Sequence, residues 1–298
     1  MKTQWQVKLS KIDSFVWRDV NAGLFLVSNC PAIRMCQMFD LRRKMSFRLA
    51  KYIGATTLSV RGHRPIVSFT FDDAPVSAAL CGAPILEEQG VRGTFYLNGG
   101  LLGGAGDIGP ILDRSQAASL AQMGHEIGCH TYAHSDVRFR QWDELENGLD
   151  ENARVLAELT GGTAPRNFAY PFGGVSFGKK LRLASRFDTC RGIYAGINSN
   201  RIDTGLLKAV PLYSSELDLE SADRWIAATV VKAGWLIFFT HDVSDDPSVF
   251  GVRAELLRHC VGAAIAAGCL CLPVDLAVNH LRASARAVSP ASSSVMSH

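Results

Sequence analysis

Three short polar clusters, each behind a run of apolar residues, hold side chains that could act on one substrate together: Thr70-Phe71-Asp72-Asp73, His130-Thr131-Tyr132-Ala133-His134 and Thr240-His241-Asp242. His130 and His134 stand at i and i+4, so one turn of helix or a tight loop after a strand aims both imidazoles the same way. Asp72 and Asp73 are adjacent carboxylates at a strand end. Successive strand residues point to opposite faces, so both acids reach one pocket only where the chain bends, as Ala74-Pro75 allows. Two acids beside one pocket raise the pKa of one of them unless a cation compensates. A dication held by two imidazoles and one carboxylate keeps positions open for water and a substrate oxygen. The other carboxylate is then free to act as a base, and such a site hydrolyses. Taken singly, HxxxH pairs are more often surface or core histidines, paired acids often cap a helix, and a lone histidine after an apolar strand is usually packed. Placement behind separate strands is what favours the chemical reading.

The elements between the clusters alternate. Ile66 to Phe71 is a nearly continuous apolar run, residues 76–89 follow a helical period, and Gly93–Leu97 reads as a strand. A Gly-rich stretch at 99–109 precedes a helix over Ser115–Met123 with Ser115 as its N-cap. Glu126–Cys129 is a short strand, and Trp142–Leu159 an amphipathic helix built on Leu145, Leu149, Ala153 and Leu156. Further strands are expected at Asn167–Tyr170, Arg191–Tyr194, Trp235–Thr240 and Cys269–Leu272, with a helix at 252–267. Parallel βα units of this kind build an open doubly wound sheet or a barrel, and both gather the carboxyl ends of their strands at one mouth.

A chain of 298 residues with 47% apolar and 20% charged residues suits one barrel-sized α/β domain with an appendage. The net charge of +3 is uneven: residues 1–64 carry 12 Lys/Arg against 3 acids, leaving 19 basic and 25 acidic residues in the remainder. That basic leader reads as a solvated arm, not a nucleic-acid binder. Residues 1–44 show no sustained period, and Met45 is an alternative start. The stretch 261–274 is too short and too interrupted by Gly and Pro for a membrane span, and no convincing signal peptide precedes the body, so a cytoplasmic location is expected. The 8 cysteines include no CxxC pair and read as reduced, packed thiols. Residues 283–298 are small and polar and are expected to fray.

In order and spacing, SFTFDD, GHEIGCHTYAH, FAYPFG and LIFFTHD resemble the motifs of the polysaccharide deacetylase family, also called carbohydrate esterase family 4 or NodB-homology proteins. The resemblance covers about 64–278 and implies an α/β fold, a distorted (β/α) barrel of the NodB-homology type, in a single catalytic domain over 64–282 behind an N-terminal extension, 1–63. It implies removal of N-acetyl groups from N-acetylglucosamine-containing oligo- or polysaccharides or saccharide precursors. The implied cofactor is one divalent metal, zinc first, with Co2+, Mn2+ or Ni2+ as alternatives.

By the same resemblance Asp72 matches the general base and Asp73, His130 and His134 the metal ligands. Phe172 matches the donor of a backbone N–H to the oxyanion, His241 matches the general acid, and Tyr170 and Pro171 are candidates for the substrate pocket. Two positions depart from the family pattern. Where many members carry a motif arginine this chain has Ala169, which leaves Arg166 as the nearest residue able to orient Asp72. The acid that usually partners the histidine is not evident among Asp203, Glu216, Asp218 and Asp223. A same-fold amidase acting on a non-sugar amide such as a ureide keeps this chemistry and changes the pocket, and a catalytically silent saccharide-binding protein is a further alternative. A non-haem iron oxygenase also uses two histidines and a carboxylate, but its His-x-Asp order and all-β scaffold are not those of this chain.

Overall fold

The computed structural model describes residues 44–60 and 63–288. The leader up to residue 43 lies outside the described residues, and the described residues from Phe47 on form one compact unit. Its framework is a curled parallel sheet whose main strands are β1 (Ile66–Asp72), β2 (Thr94–Leu97), β3 (Glu126–Cys129), β4 (Asn167–Ala169), β5 (Thr189–Arg191), β6 (Val210–Pro211), β7 (Trp235–Thr240) and β8 (Leu270–Cys271). Their spatial order is β6-β7-β1-β2-β3-β4-β5, with β8 beside the first residues of β1. The expected distorted (β/α) barrel is the fold found.

All seven residues of β1 are buried, as an apolar run covered on both faces requires. Alternation splits the core. Phe69 and Phe71 pack with Leu236 and Phe238 toward the outer helices, whereas Ile66 packs with Trp235, Ile237 and Phe239 against Val274, Val278 and Leu281 of the last helix. Helical residues at 44–52 lead into the sheet, and the helices that follow are α1 (Ala83–Glu87), entered through a wide turn at Ala78–Gly82, then α2 (Arg114–Gln122), α3 (Trp142–Leu159), α4 (Phe177–Arg186), α5 (Leu219–Val231), α6 (Ala254–Ala266) and α7 (Val274–Val288). α3 buries Leu145, Leu149 and Leu156 of its expected stripe and adds Asn152 and Val155, while Ala153 is only half-buried.

Some local expectations are corrected. Asp113, not Ser115, caps α2, in a reciprocal box in which its carboxylate accepts from Gln116 N at 2.9 Å and the Gln116 side chain accepts from Asp113 N at 2.9 Å. Helix α7 runs to Val288, so the first residues of the segment expected to fray are helical. The strand expected at Arg191–Tyr194 instead covers Thr189–Arg191, placing Arg191 at its carboxyl end.

Register sets the site. Pairing Thr240 with Phe71, Asp72 with Tyr96, Leu97 with Cys129, Cys129 with Phe168 and Ala169 with Arg191 brings the carboxyl ends of six neighbouring strands level. Each polar cluster spans or directly follows the end of its strand.

Candidate active site

The sheet edge opens into a cleft of about 400 Å³ lined on its floor by Asp72, Asp73, His130, His134 and His241. The bend anticipated after β1 is a pair of left-handed residues, Asp73 at φ 58° and Ala74 at φ 42°, which turns Asp73 toward the same space as Asp72. His130 and His134 leave β3 through a loop, not a helix, in which Thr131 and His134 are also left-handed, at φ 63° and 48°. Side chains in this backbone region cost about 1–3 kcal/mol each and persist where surrounding contacts over-determine them. Asn98, directly after β2, supplies part of that determination by donating through Nδ2 to the carbonyls of His130 and Thr131. Asn152 of α3 accepts from Gly99 N at 2.6 Å and donates to Leu97 O at 3.2 Å, fixing the base of the same loop.

Ligand atoms of Asp73, His130 and His134 lie within 4.8 Å of one another. Asp73 Oδ1 is 3.6 Å from His130 Nε2 and 3.4 Å from His134 Nε2, and it is buried without a hydrogen-bond partner among the described residues. His130 donates from Nδ1 to Ala169 O at 2.8 Å, which leaves its Nε2 lone pair facing the carboxylate. Burial pushes the His130 imidazole down to about 3 and lowers that of His134, so both are neutral near pH 7, the form in which histidine ligates. Burial pushes the Asp73 carboxyl up to about 6, and Asp72 beside it adds to the rise. An orphaned buried carboxylate oxygen facing two neutral imidazoles fits a divalent cation, whose charge would remove the conflict between the two acids.

Asp72 behaves differently. Burial alone would raise its carboxyl, but Arg191, His130 and His241 outweigh that and hold it below the ordinary carboxylate value. Arg191, fully buried, donates from Nη2 to both oxygens of Asp72 and lies with its guanidinium carbon 4.9 Å from the Phe239 ring centroid and 5.3 Å from that of Tyr96. Arg166 is not in the site. It precedes β4, at the opposite end of that strand from Ala169, and pairs with Asp188 at 2.6 Å. Sequence reasoning missed Arg191 because it followed the motif position, and the signal available was a charged residue flanked by apolar ones at a strand end.

Phe172 sits at φ 58° in the one-turn Pro171–Gly173 helix, its exposed ring 4.6 Å from that of His134. Tyr170 lines the cleft, though its hydroxyl is turned away to donate to Gly205 O at 2.8 Å. Pro171 starts the turn and is not among the lining residues. His241 donates from Nδ1 to the Phe250 carbonyl at 3.2 Å. Of the acids considered as its partner, Asp203 pairs with Lys180, Asp218 caps α5 and Asp223 pairs with His259 at 2.8 Å.

With this geometry in view, the sequence model of the polysaccharide deacetylase family matches residues 59–187. This stretch belongs to the polysaccharide deacetylase family. A chitin deacetylase of Arthroderma benhamiae is 26% identical over 208 residues, covering 66% of this chain and 52% of that protein. A chitin deacetylase of Colletotrichum lindemuthianum is 24% identical over 217 residues, covering 67% of this chain and 80% of that protein. A bifunctional xylanase/deacetylase of Pseudobutyrivibrio xylanivorans is 29% identical over 103 residues, and the chain spans only 15% of its length. Among solved structures, a family 4 carbohydrate esterase from Bacillus anthracis superposes with a TM-score of 0.54 at 15% identity, covering 80% of this chain and 91% of that one. The structure of the Colletotrichum lindemuthianum chitin deacetylase gives 0.53 at 19% identity, covering 75% and 91%. These superpositions support the fold of the polysaccharide deacetylase region and its barrel.

Proposed function

We propose that the chain is a metal-dependent hydrolase that removes N-acetyl groups from N-acetylglucosamine-containing oligosaccharides, polysaccharides or saccharide precursors. The observation that carries this reading is the convergence of Asp73, His130 and His134 beside an Asp72 held ionised by Arg191, all on the floor of one open cleft. Membership of the deacetylase family and the chitin deacetylase relatives favour a sugar-borne acetamide over a ureide. A full set of acid, base and ligand side chains favours turnover over silent binding.

Asp73, His130 and His134 would hold the cation, zinc by preference for two imidazoles and a carboxylate. When bound, it supplies Lewis-acid polarisation of the acetyl oxygen and of water. Asp72 takes a proton from the attacking water, the task its Arg191-stabilised carboxylate is set to do. The Phe172 N–H is assigned to the negative charge that develops on the acetyl oxygen. His241 keeps its Nδ1–H on the Phe250 carbonyl and hands a proton from Nε2 to the sugar nitrogen as the C–N bond breaks. Water and acetamide thus become acetate and free amine.

The test is acetate release from fully N-acetylated chitooligosaccharides, with elemental analysis of the same protein. Turnover that vanishes in Asp72→Asn supports the reading. Metal-loaded wild-type protein that releases nothing from sugar substrates overturns it, and release from ureides alone transfers the assignment to the amidase alternative.

A further inference from the structure

Among the described residues no carboxylate bonds the ring of the proposed acid, and the group that takes that place is delivered by a loop. Between β7 and α6 the chain runs out over residues 243–251 and returns, its base closed by pairing Val243 with Val252. Phe250 is carried on this loop, and its carbonyl accepts from His241 N at 3.2 Å, His241 Nδ1 at 3.2 Å and Thr240 Oγ1 at 3.3 Å. The tautomer and tilt of the imidazole therefore depend on where one backbone oxygen lies.

Asp242 fixes that place. Its side chain is almost wholly buried and is bonded within the loop. Oδ2 accepts from Ser248 N at 2.7 Å and Oδ1 from Ser248 Oγ at 2.6 Å. Ser248 Oγ in turn accepts from Phe250 N at 3.2 Å, and Ser248 O accepts from Gly251 N at 3.0 Å. The carboxylate lies so close to Gly251 that a Cβ there would fall 2.4 Å from Oδ1. One buried anion thus folds the loop around itself and sets the Phe250 carbonyl against the histidine that precedes it in sequence.

We infer that Asp242 is a positioning residue for His241, acting through Ser248 and the Phe250 carbonyl; the assignment rests on the proposed role of His241 as acid. An acid matters in proportion to how poor the leaving group is. An amine cannot depart unprotonated, whereas 4-nitrophenolate can. Misplacing His241 therefore lowers the rate on an acetamido sugar far more than on 4-nitrophenyl acetate at the same cleft.

The experiment compares Asp242→Asn and Ser248→Ala with wild type on N-acetylchitooligosaccharides and on 4-nitrophenyl acetate, alongside metal content and melting temperature. General acid–base assistance is worth roughly 100-fold or more, so the amide-to-ester rate ratio is expected to fall about 100-fold in Asp242→Asn and about tenfold in Ser248→Ala, through kcat with KM held. Equal loss on both substrates, or a loss that follows metal content, overturns the assignment. A second readout does not need turnover: in 15N-labelled protein the His241 Nδ1–H signal should exchange faster with solvent in both variants. An unchanged signal overturns the positioning role. Wild-type protein that deacetylates nothing refutes the proposed function, while that signal still decides what Asp242 does to the ring.

Discussion

Replacing Arg191 by methionine is the sharpest test of how Asp72 is kept ionised. The substitution preserves length and apolar contact with Tyr96 and Phe239 but leaves a carboxylate, 4% exposed, with no guanidinium. Removing one partner of a buried pair costs about 3–5 kcal/mol. At about 2–4 °C per kcal/mol for a domain of this size, the melting temperature should fall by about 6–20 °C at pH 7. The sign with pH follows from the wild-type shift. A carboxyl whose folded pKa lies below its unfolded value contributes stability that is complete above the unfolded value and disappears as pH falls through the folded one. The gap between wild type and Arg191→Met should therefore be widest at neutral pH and close in acid. Asp72→Asn combined with Arg191→Met removes the stranded charge and should recover most of the loss. Calorimetry of all four proteins from pH 3 to 8 supplies the cycle. A drop below about 3 °C, or a double variant no more stable than Arg191→Met, would refute the argument that this pair carries a large desolvation cost.

Other outcomes follow from the same geometry. His134→Ala should lose bound metal by elemental analysis, whereas Asp72→Asn should keep it near the wild-type level while losing turnover; equal metal loss in both would place the base wrongly. Gly173→Ala should lower kcat on N-acetylchitooligosaccharides by about tenfold or more, because φ is +70° and the new Cβ would fall 2.2 Å from Ile193 Cγ1, displacing the Phe172 turn. In metal-free protein, His130 is held down to about 3, so the unfolded chain takes up its proton first as pH falls from about 6.5. Stability relative to His130→Gln should decline over that interval by up to about 1.4 kcal/mol per pH unit in urea titrations.

The strands that carry the ligands were legible because each is a short apolar run ending in chemically conspicuous residues. Periodicity found β1, β3, β7 and α3 for that reason. It did not find α4 or α5. α4 runs through Lys179, Lys180, Arg182 and Arg186, and buries Lys180 to hold Ala50 O at 2.5 Å and Ile53 O at 2.7 Å. A helix whose inward face includes a lysine does not announce that face by composition. α5 was hidden by its cap, since Asp218 reads as a free acid until Ser221 N is seen donating to it at 2.8 Å. The exchange of Arg166 for Arg191 has a similar origin. Following the motif position leads to Arg166, whereas the fifth strand ends at Arg191 and so brings that side chain to the mouth. The partner of His241 was beyond any residue-type search, since a carbonyl oxygen belongs to every position in the chain.

Asp73, Ala74, His134 and Phe172, all with side chains, occupy backbone angles that glycine would adopt with far less strain. A variant library sorted only for heat resistance should therefore enrich glycine at Ala74, where no ligand is lost by the exchange, and the survivors should deacetylate more slowly as the turn beneath Asp73 loosens. Sturdiness and speed are in tension at this hinge, so a campaign seeking both has to hold Ala74 fixed and look for its gains on the helical shell.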